Sequence, residues 1–119
     1  MVRAPNLADV IPSNLPILTF VPEAPELDTA TAWQTVMRGQ AIANGLFIAA
    51  ANRTGREGVD FYGSSFICAP MGNILAQASR DQTEVIVADL SADLFEQWRY
   101  LFPLLQQRRP DAYGKLVEA

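Results

Sequence analysis

Histidine is absent from this sequence, and lysine and cysteine each occur once, as Lys115 and Cys68. Without histidine, the chain cannot build a Ser-His-Asp or Cys-His catalytic arrangement or a histidine metal site from its own residues. A single cysteine cannot form an intramolecular disulfide, which agrees with a reducing compartment. Lys115 lies close to the end of the chain, where a buried and positioned catalytic lysine is difficult to build.

Basic residues and long apolar runs are also scarce. Nine Lys and Arg stand against 13 Asp and Glu, which gives a net charge of −4 and a pI near 4.6. Only Arg108 and Arg109 are adjacent, so the clustered charge that neutralises phosphates is missing, and we expect no nucleic-acid partner. The apolar run 46–51 is far shorter than the roughly 18 residues that span a bilayer. Met1 to Pro5 lacks the features of a signal peptide. We therefore expect no membrane partner and a cytoplasmic location.

The composition of the 119 residues is that of a globular domain, with 50% hydrophobic and 18% charged residues. Five of the eight prolines lie within residues 1–27. Each proline removes a backbone donor and restricts its neighbour. We therefore expect an irregular or extended lead over 1–27, with room for one short strand in its apolar pieces. The remaining residues, 28–119, are expected to form the folded part.

Two helices are predicted. Asp28 or Thr29 can cap the first, and Gly45 can end it. Ser91 can cap the second, and Pro103 ends or kinks it. Apolar residues recur at helical spacing in both segments. These residues are Trp33, Val36, Met37, Ala41 and Ile42 in the first, and Leu94, Phe95, Trp98, Leu101 and Phe102 in the second.

Four strands are predicted between these helices. Residues 46–51 are continuously apolar, which is typical of a strand covered on both faces. The charged, glycine-containing stretch 52–60 is expected to be a solvated loop. The other predicted strands are 61–69, 74–78 and 84–88, separated by turns at 70–73 and 80–82, and the second and third should be antiparallel. A sheet with helices on one face exposes its other face, so we expect something to cover it.

Several motifs in order resemble the amidases of the carbon–nitrogen hydrolase (nitrilase) superfamily, and among them the N-carbamoylputrescine amidases. The resemblance covers roughly residues 23–116. The motifs are Trp33-Gln34-Thr35-Val36-Met37-Arg38-Gly39-Gln40-Ala41, Ala43-Asn44, Asn52-Arg53-Thr54-Gly55, Phe61-Tyr62-Gly63-Ser64-Ser65-Phe66-Ile67, Pro70 with Gly72, and Arg108-Arg109-Pro110-Asp111-Ala112-Tyr113. Such an ordered set is much more specific than one short pattern.

The resemblance implies an α/β (α+β layered) fold in which this chain forms the C-terminal half of a four-layer α-β-β-α sandwich, with about four strands and two main helices. It also implies catalysis by a Glu-Lys-Cys set: the cysteine attacks the carbonyl carbon, the glutamate is the general base and the lysine stabilises the oxyanion. No segment here matches the nucleophile elbow. Residues 12–20 depart from the family pattern, so 1–27 is interpreted as a divergent lead and 28–119 as a partial domain. We expect the sequence to begin after the catalytic residues.

The substrate-binding candidates are Asn52, Arg53, Phe61, Tyr62 and Ser64. Asn52 and Arg53 directly follow a predicted buried strand, where sites of α/β proteins gather, and the resemblance puts their loop near the pocket. For Asn52 and Arg53 the competing interpretation is a loop-stabilising asparagine and a surface arginine. For Phe61, Tyr62 and Ser64 it is turn geometry and core packing.

The remaining chemical groups are interpreted as structural. Cys68 lies within a predicted strand, without a histidine or nearby lysine to lower its pKa, and is expected to be a small buried hydrophobe rather than a nucleophile. Glu57 and Asp60 share a loop with Arg53 and Arg56, which predicts a solvated charged loop rather than an acid–base pair.

The sequence therefore predicts part of a hydrolase of linear amide or ureido C–N bonds, inactive alone because it lacks the catalytic residues. The resemblance implies no metal or organic cofactor. The expected small-molecule partner is an amide or ureido substrate in the full-length enzyme. The expected protein partner is either further copies in a homo-oligomer or a missing N-terminal half. The alternative is a non-catalytic docking or assembly module that pairs with a partner chain. A third, remote alternative is a small independent enzyme that uses Cys68.

Overall fold

The structure is a computed structural model, and it describes residues 19–20 and 28–118. Apart from 19–20, the predicted lead over 1–27 lies outside the described residues. The helices are α1 (Ala30–Asn44) and α2 (Ala92–Leu101), followed by the 3₁₀ turns Pro110–Ala112 and Gly114–Val117. The strands are β1 (Thr19–Phe20), β2 (Ile48–Ala50), β3 (Thr54–Glu57), β4 (Val59–Tyr62), β5 (Phe66–Cys68) and β6 (Ile74–Gln77). This mixed, layered α/β arrangement confirms the predicted fold class.

Helix α1 begins and ends where its sequence predicts. At its start, the Asp28 carboxylate accepts the Ala30 N–H at 3.0 Å, so the side-chain acceptor is Asp28 rather than Thr29. At its end, Gly45 adopts the left-handed conformation with φ of 58°, and the Leu46 N–H donates to the Ala41 carbonyl. A glycine in this position satisfies the last carbonyls of a helix without strain from a Cβ.

The strands form two three-stranded antiparallel sheets, in the orders β1-β4-β3 and β2-β5-β6. The short strand for which the lead had room is β1, which pairs with β4. The predicted turn at 70–73 joins β5 to β6, with the Gly72 N–H donating to the Ala69 carbonyl at 2.8 Å. The predicted antiparallel pairing of these two strands is confirmed.

The prediction of one strand over 61–69 and a loop over 52–60 is wrong. Strand β3 and strand β4 form a hairpin that turns at Gly58, whose φ is 75°. The chain then leaves this sheet at Gly63 and Ser64, with φ of 56° and 58°. Two consecutive left-handed residues cannot continue a strand, so β4 stops at Tyr62 and β5 starts at Phe66. The hairpin could not be predicted from the alternation of apolar and polar residues, because its solvent-facing residues are charged.

The predicted fourth strand at 84–88 does not form within the described residues, where this segment has no ladder. Its Val85 side chain is 89% exposed and its Val87 side chain is 81% exposed. The β propensity of the segment is high, but propensity reflects packing on a half-buried surface. That surface is missing here.

The core lies between α1 and the β2-β5-β6 sheet. Trp33 of α1 packs edge-on against Phe66, with ring centroids 5.3 Å apart, and its ring lies 5.9 Å from that of Tyr62. Ala41 and Cys68 are fully buried in the same cluster. Aromatic pairs in these tilted geometries contribute about 0.5–1.5 kcal/mol beyond their buried area. The aromatic cluster therefore fixes how α1 lies on the sheet.

Helix α2 packs at the other end of this layer. The Ser91 hydroxyl accepts the Leu94 N–H at 3.2 Å, which confirms the predicted cap, and the helix ends before Pro103 as predicted. Phe95 stacks on Phe47 at 6.3 Å, and the Arg99 guanidinium donates to the Gly45 carbonyl at 3.1 Å. None of its residues is fully buried, so its apolar face is only partly covered.

Gly63→Ala should destabilise the protein more than any other glycine-to-alanine change in the β3–β4 region. A Cβ at Gly63 would lie 2.7 Å from the Arg80 carbonyl oxygen and 2.8 Å from that of Ser79, on a backbone already left-handed. We expect a loss of about 3 kcal/mol or more in the free energy of unfolding, measured by urea denaturation.

Gly55→Ala is the matched control for this change. Gly55 is also left-handed, with φ of 87°, but a Cβ there would meet no atom within 4 Å. The Gly55→Ala variant should lose only about 1–2 kcal/mol in the free energy of unfolding, which is the cost of a Cβ on a left-handed backbone. Equal losses in the two variants would contradict the close approach at Gly63.

Candidate functional site

An open cleft of about 300 Å³ lies where the two sheets meet, and its walls are largely polar. Asn52 and Arg53 line one side, just after β2, and Ser65 lies beside them before β5. Ser79 and Glu84 line the opposite side, from the segment after β6. The residues predicted to form a site at the end of β2, Asn52 and Arg53, therefore do line a cavity.

Asn52 is held rigidly at this junction. Its backbone N–H donates to the Ser65 hydroxyl at 2.9 Å, and that hydroxyl lies 3.2 Å from the Asn52 carbonyl oxygen. Its side-chain amide donates to the Gly63 carbonyl at 2.9 Å, and its side-chain oxygen accepts the Arg53 N–H at 2.8 Å. Asn52 therefore joins the two sheets as well as lining the cleft, so its structural and binding interpretations are compatible.

Arg53 and Phe61, two of the predicted site residues, contact each other. The Arg53 guanidinium lies 4.8 Å from the centre of the Phe61 ring and forms an exposed ion pair with Glu57. Such exposed pairs contribute about 1 kcal/mol or less. Arg53 therefore has a preferred position at the cleft mouth, and a ligand anion could replace Glu57 at low cost.

Tyr62 and Ser64 lie on the other side of the junction from Arg53. Tyr62 is buried in the aromatic core. Burial is the main cause that raises the pKa of its phenol, and the charge of Asp28 adds to this effect. The hydrogen bond with Thr29 and the charge of Arg80 lower the pKa but do not cancel the rise. The Ser64 hydroxyl donates to the Tyr62 carbonyl at 3.0 Å. Ser64 also lines a second cavity of about 260 Å³ together with Arg80. Of the five predicted residues, two line the cleft, Ser64 lines the second cavity, Tyr62 lies in the core and Phe61 contacts Arg53. Their role in binding stays a prediction.

Ser79 and Glu84 are two cleft residues that the sequence did not predict as site residues. The Ser79 N–H donates to Glu84 Oε1 at 2.5 Å. The hydroxyl and backbone N–H of Ser79 hold the pKa of the exposed Glu84 carboxyl below its usual value. The two residues are five positions apart in a stretch without a regular pattern, so only the closed turn brings them together. Glu84, whose carboxylate could attract a cationic ligand, therefore could not be predicted as a cleft residue from the sequence.

Cys68 lies away from the cleft, in the core. Its side chain is fully buried, and burial raises the pKa of its thiol. A thiol without solvent access or a lowered pKa is a poor nucleophile. This environment fits the structural interpretation of Cys68.

Among the residues that the structure describes, no three His, Cys, Asp or Glu side chains gather as a metal site would require. Over those residues, no helix combines the length and apolar character needed to cross a membrane.

Comparison with known proteins assigns the family. The family model described as carbon-nitrogen hydrolase matches residues 16–100. The chain belongs to the carbon–nitrogen hydrolase family. It is 35% identical over 105 residues to an N-carbamoylputrescine amidase of Arabidopsis thaliana and 36% identical over 101 residues to a citrullinase of Francisella tularensis. In both comparisons the alignment covers 81% of this chain.

Solved structures agree with this assignment. The carbon–nitrogen hydrolase of Helicobacter pylori G27 superposes with a TM-score of 0.68 and 39% identity, over 74% of this chain and 33% of that protein. The chain spans about a third of the length of the curated relatives it matches, 35% in both cases above. The activity of a whole enzyme of this family is therefore a matter for proposal.

Glu84→Gln should remove a pH-dependent contribution to stability. Because the folded-state pKa of Glu84 is depressed, its carboxylate stabilises the protein above the unfolded value, near 4.5, and this stabilisation is lost as pH falls through the folded pKa. The free energy of unfolding of the native protein should therefore exceed that of the variant at pH 6, by an amount that shrinks towards pH 3.

The measurement is urea denaturation between pH 3 and pH 7, with an NMR titration of the Glu84 carboxyl. Asp81→Asn removes a charge from the same turn but leaves the acceptor of the Ser79 N–H in place, so it controls for charge alone. A Glu84 midpoint at or above the ordinary value would contradict the Ser79 contact.

Proposed function

We propose that this chain is part of a hydrolase of linear amide or ureido C–N bonds, with N-carbamoylputrescine as the first substrate to test. The family assignment carries this proposal. It is supported by the similarity to an N-carbamoylputrescine amidase and a citrullinase at 35% and 36% identity. The names of both relatives point to substrates with a ureido group. A role in polyamine biosynthesis and a cytoplasmic location are part of the same proposal.

The reaction needs a nucleophile, a general base and an oxyanion donor, which in this family are Cys, Glu and Lys. The described residues offer one buried cysteine with a raised thiol pKa, Cys68, and the only lysine is Lys115. We propose that all three catalytic groups come from outside these 119 residues. The chain alone is then inactive, because losing even the nucleophile of such a set costs many orders of magnitude in rate.

The cleft is proposed to hold the polar end of the substrate. Asn52, Ser65 and Ser79 give its wall a hydrogen-bonding character, and Glu84 adds a carboxylate that is ionised at neutral pH. A substrate with a terminal ammonium, as in N-carbamoylputrescine, would be attracted to this carboxylate. Asn52, Arg53, Phe61, Tyr62 and Ser64 remain the proposed substrate-binding set, with Tyr62 acting through the core.

The segment that carries the catalytic groups is proposed to cover the outer face of the β2-β5-β6 sheet, on which Ala49 and Ile67 lie. Ala49 and Ile67 are register partners, on the side opposite the fully buried Cys68 and the half-buried Ile48. Ala49 is exposed and Ile67 is half-buried. An apolar sheet face left open is typical of an interaction surface.

The alternative proposal is a non-catalytic docking module that pairs with a partner chain or assembles as a homo-oligomer. Helix α2 and the turn after it favour this reading, because Tyr100 is 86% exposed and Leu101 is 65% exposed. The Trp98 indole N–H is buried without a hydrogen-bond partner among the described residues. A buried donor left unpaired costs about 1–3 kcal/mol, and an acceptor from another segment would satisfy it.

Complementation separates these two functions. The 119-residue chain is mixed with the segment of the Arabidopsis relative that lies N-terminal to the matched region, and ammonia release from N-carbamoylputrescine is measured. We expect no activity from either part and at least about a thousandfold gain on mixing. A chain that hydrolyses the substrate alone would contradict the proposal, and a stable complex without activity would favour the docking module.

Matched variants locate the nucleophile. Replacing the elbow cysteine of the added segment by alanine should abolish the gain, because it removes the attacking group. Cys68→Ala in this chain should keep the gain to within a few-fold, since Cys68 is buried in the core. Loss of activity in soluble, folded Cys68→Ala protein would return Cys68 to the list of candidate nucleophiles.

A further inference from the structure

The cleft between the two sheets has a charge of each sign on its opposite walls. Arg53 lines the wall formed just after β2, and Glu84 lines the wall formed by the segment after β6. The other residues that line the cleft are uncharged. Both charged residues are exposed, so a ligand can reach them without an opening of the structure. The charge pattern that a ligand meets is therefore set by these two side chains.

The Glu84 carboxylate has no positively charged partner within the described part of the chain. Its Oε1 accepts the Ser79 N–H at 2.5 Å, which holds the carboxylate at the cleft wall. The ion pairs that arginine side chains form over the same part of the chain go to Asp28, Glu57, Asp60 and Asp111. A backbone N–H orients a carboxylate but does not neutralise its charge. An ammonium group of a ligand is therefore attracted to Glu84.

Arg53 is held so that its guanidinium can exchange one carboxylate for another. The guanidinium lies 4.8 Å from the centre of the Phe61 ring, and the Arg53 N–H donates to Asn52 Oδ1 at 2.8 Å. The present partner of the guanidinium, Glu57, has a side chain that is 66% exposed. An exposed ion pair contributes little, so a ligand carboxylate can take the place of Glu57. The planar guanidinium can bind both oxygens of such a carboxylate.

The size and the uncharged lining of the cleft favour a small ligand that carries both charges. The volume of about 300 Å³ is at the lower end of the range for small-molecule sites. Uncharged lining residues such as Gln82 and Thr83 can hydrogen-bond a ligand but cannot balance its charge. A purely cationic ligand is attracted by Glu84 and repelled by Arg53, whereas a zwitterion is attracted by both.

We propose that Arg53 and Glu84 make this cleft select a substrate with a zwitterionic end, namely an α-amino acid that carries the amide or ureido group on its side chain. The inference rests on the proposed function, in which the cleft holds the polar end of the substrate. Glu84 then binds the ammonium, and Arg53 binds the carboxylate in place of Glu57. Arg53 is thereby a specificity-determining residue, because it favours the zwitterion over an amine that lacks the carboxylate.

Three matched compounds test the proposal on the 119-residue chain. Citrulline carries both charges, N-carbamoylputrescine is citrulline without the carboxylate, and 5-ureidopentanoate is citrulline without the ammonium. Each compound is titrated into the chain, and its dissociation constant is measured from the NMR shifts of the Arg53 and Ser79 backbone amides. We expect citrulline to bind about tenfold more tightly than either of the others, because a hydrogen bond to a charged group commonly contributes a factor of this size.

Single variants assign the two charges. Arg53→Gln should remove most of the preference for citrulline over N-carbamoylputrescine, because glutamine cannot pair with the carboxylate. Glu84→Gln should instead remove most of the preference for citrulline over 5-ureidopentanoate, because it removes the partner of the ammonium. Arg56→Gln is the matched control, since Arg56 lies in the same hairpin, pairs with Asp60 and does not line the cleft. It should leave both preferences within about twofold.

Turnover provides a second readout. The chain and its variants are complemented with the N-terminal segment of the Arabidopsis relative, and kcat/KM is measured from ammonia release. That segment is the same in every sample, so a change in the ratio of kcat/KM for citrulline over N-carbamoylputrescine is caused by this chain. We expect Arg53→Gln to lower this ratio about tenfold and Arg56→Gln to keep it within about twofold.

The outcomes separate this inference from the proposed function. Equal binding of citrulline and N-carbamoylputrescine, or a preference that survives Arg53→Gln, overturns the inference. The proposed function stays intact in that case if the complemented chain still releases ammonia from N-carbamoylputrescine. Absence of ammonia release from all three compounds after complementation overturns the proposed function and this inference together.

Discussion

The left-handed pair Gly63–Ser64 is the constraint on which the rest of this structure depends. It ends β4 and redirects the chain into a second sheet, and it brings the Gly63 carbonyl within reach of the Asn52 amide. The Gly63 N–H returns a hydrogen bond to the Arg53 carbonyl at 2.9 Å, and the Ser64 N–H donates to the Ser79 carbonyl at 3.0 Å. Three segments distant in sequence are therefore joined at one backbone link. The cleft exists because this link leaves a gap between the sheets.

The aromatic core and the polar junction share this link. Tyr62 immediately precedes it and packs on Trp33, while Phe66 follows it and packs on the same indole ring. Helix α1 thus clamps both sheets through one side chain, and Arg38 of the same helix donates to the Gly72 carbonyl at 2.5 Å. Any change that moves the link would displace the core and the cleft wall together. Asn52, which we propose as a binding residue, consequently has a structural role as well, and removing its side chain alone would not separate the two roles.

The sequence predicted the elements whose signals are local. Gly45, Ser91 and Pro103 act within one turn of a helix, so both helices began and ended as expected. The β3–β4 hairpin was missed because Arg56 and Glu57 are charged and face solvent, which hides the period-two pattern. The cleft was only half predicted: Asn52 and Arg53 follow a recognisable strand, whereas Ser79 and Glu84 meet through a turn whose closure no residue pattern encodes. Helix ends set by neighbouring residues could be predicted from the sequence, whereas contacts between distant segments could not.

The failed strand at 84–88 differs in kind from the missed hairpin. Its three consecutive β-branched residues favour a strand, yet Val85 and Val87 are strongly exposed. What it lacks among the described residues is a surface on which these side chains could pack. A sheet gains stability from paired side chains on a covered face rather than from hydrogen bonds alone, since unpaired backbone groups at an edge still bond to water. The high β propensity of residues 84–88 therefore does not by itself form a strand.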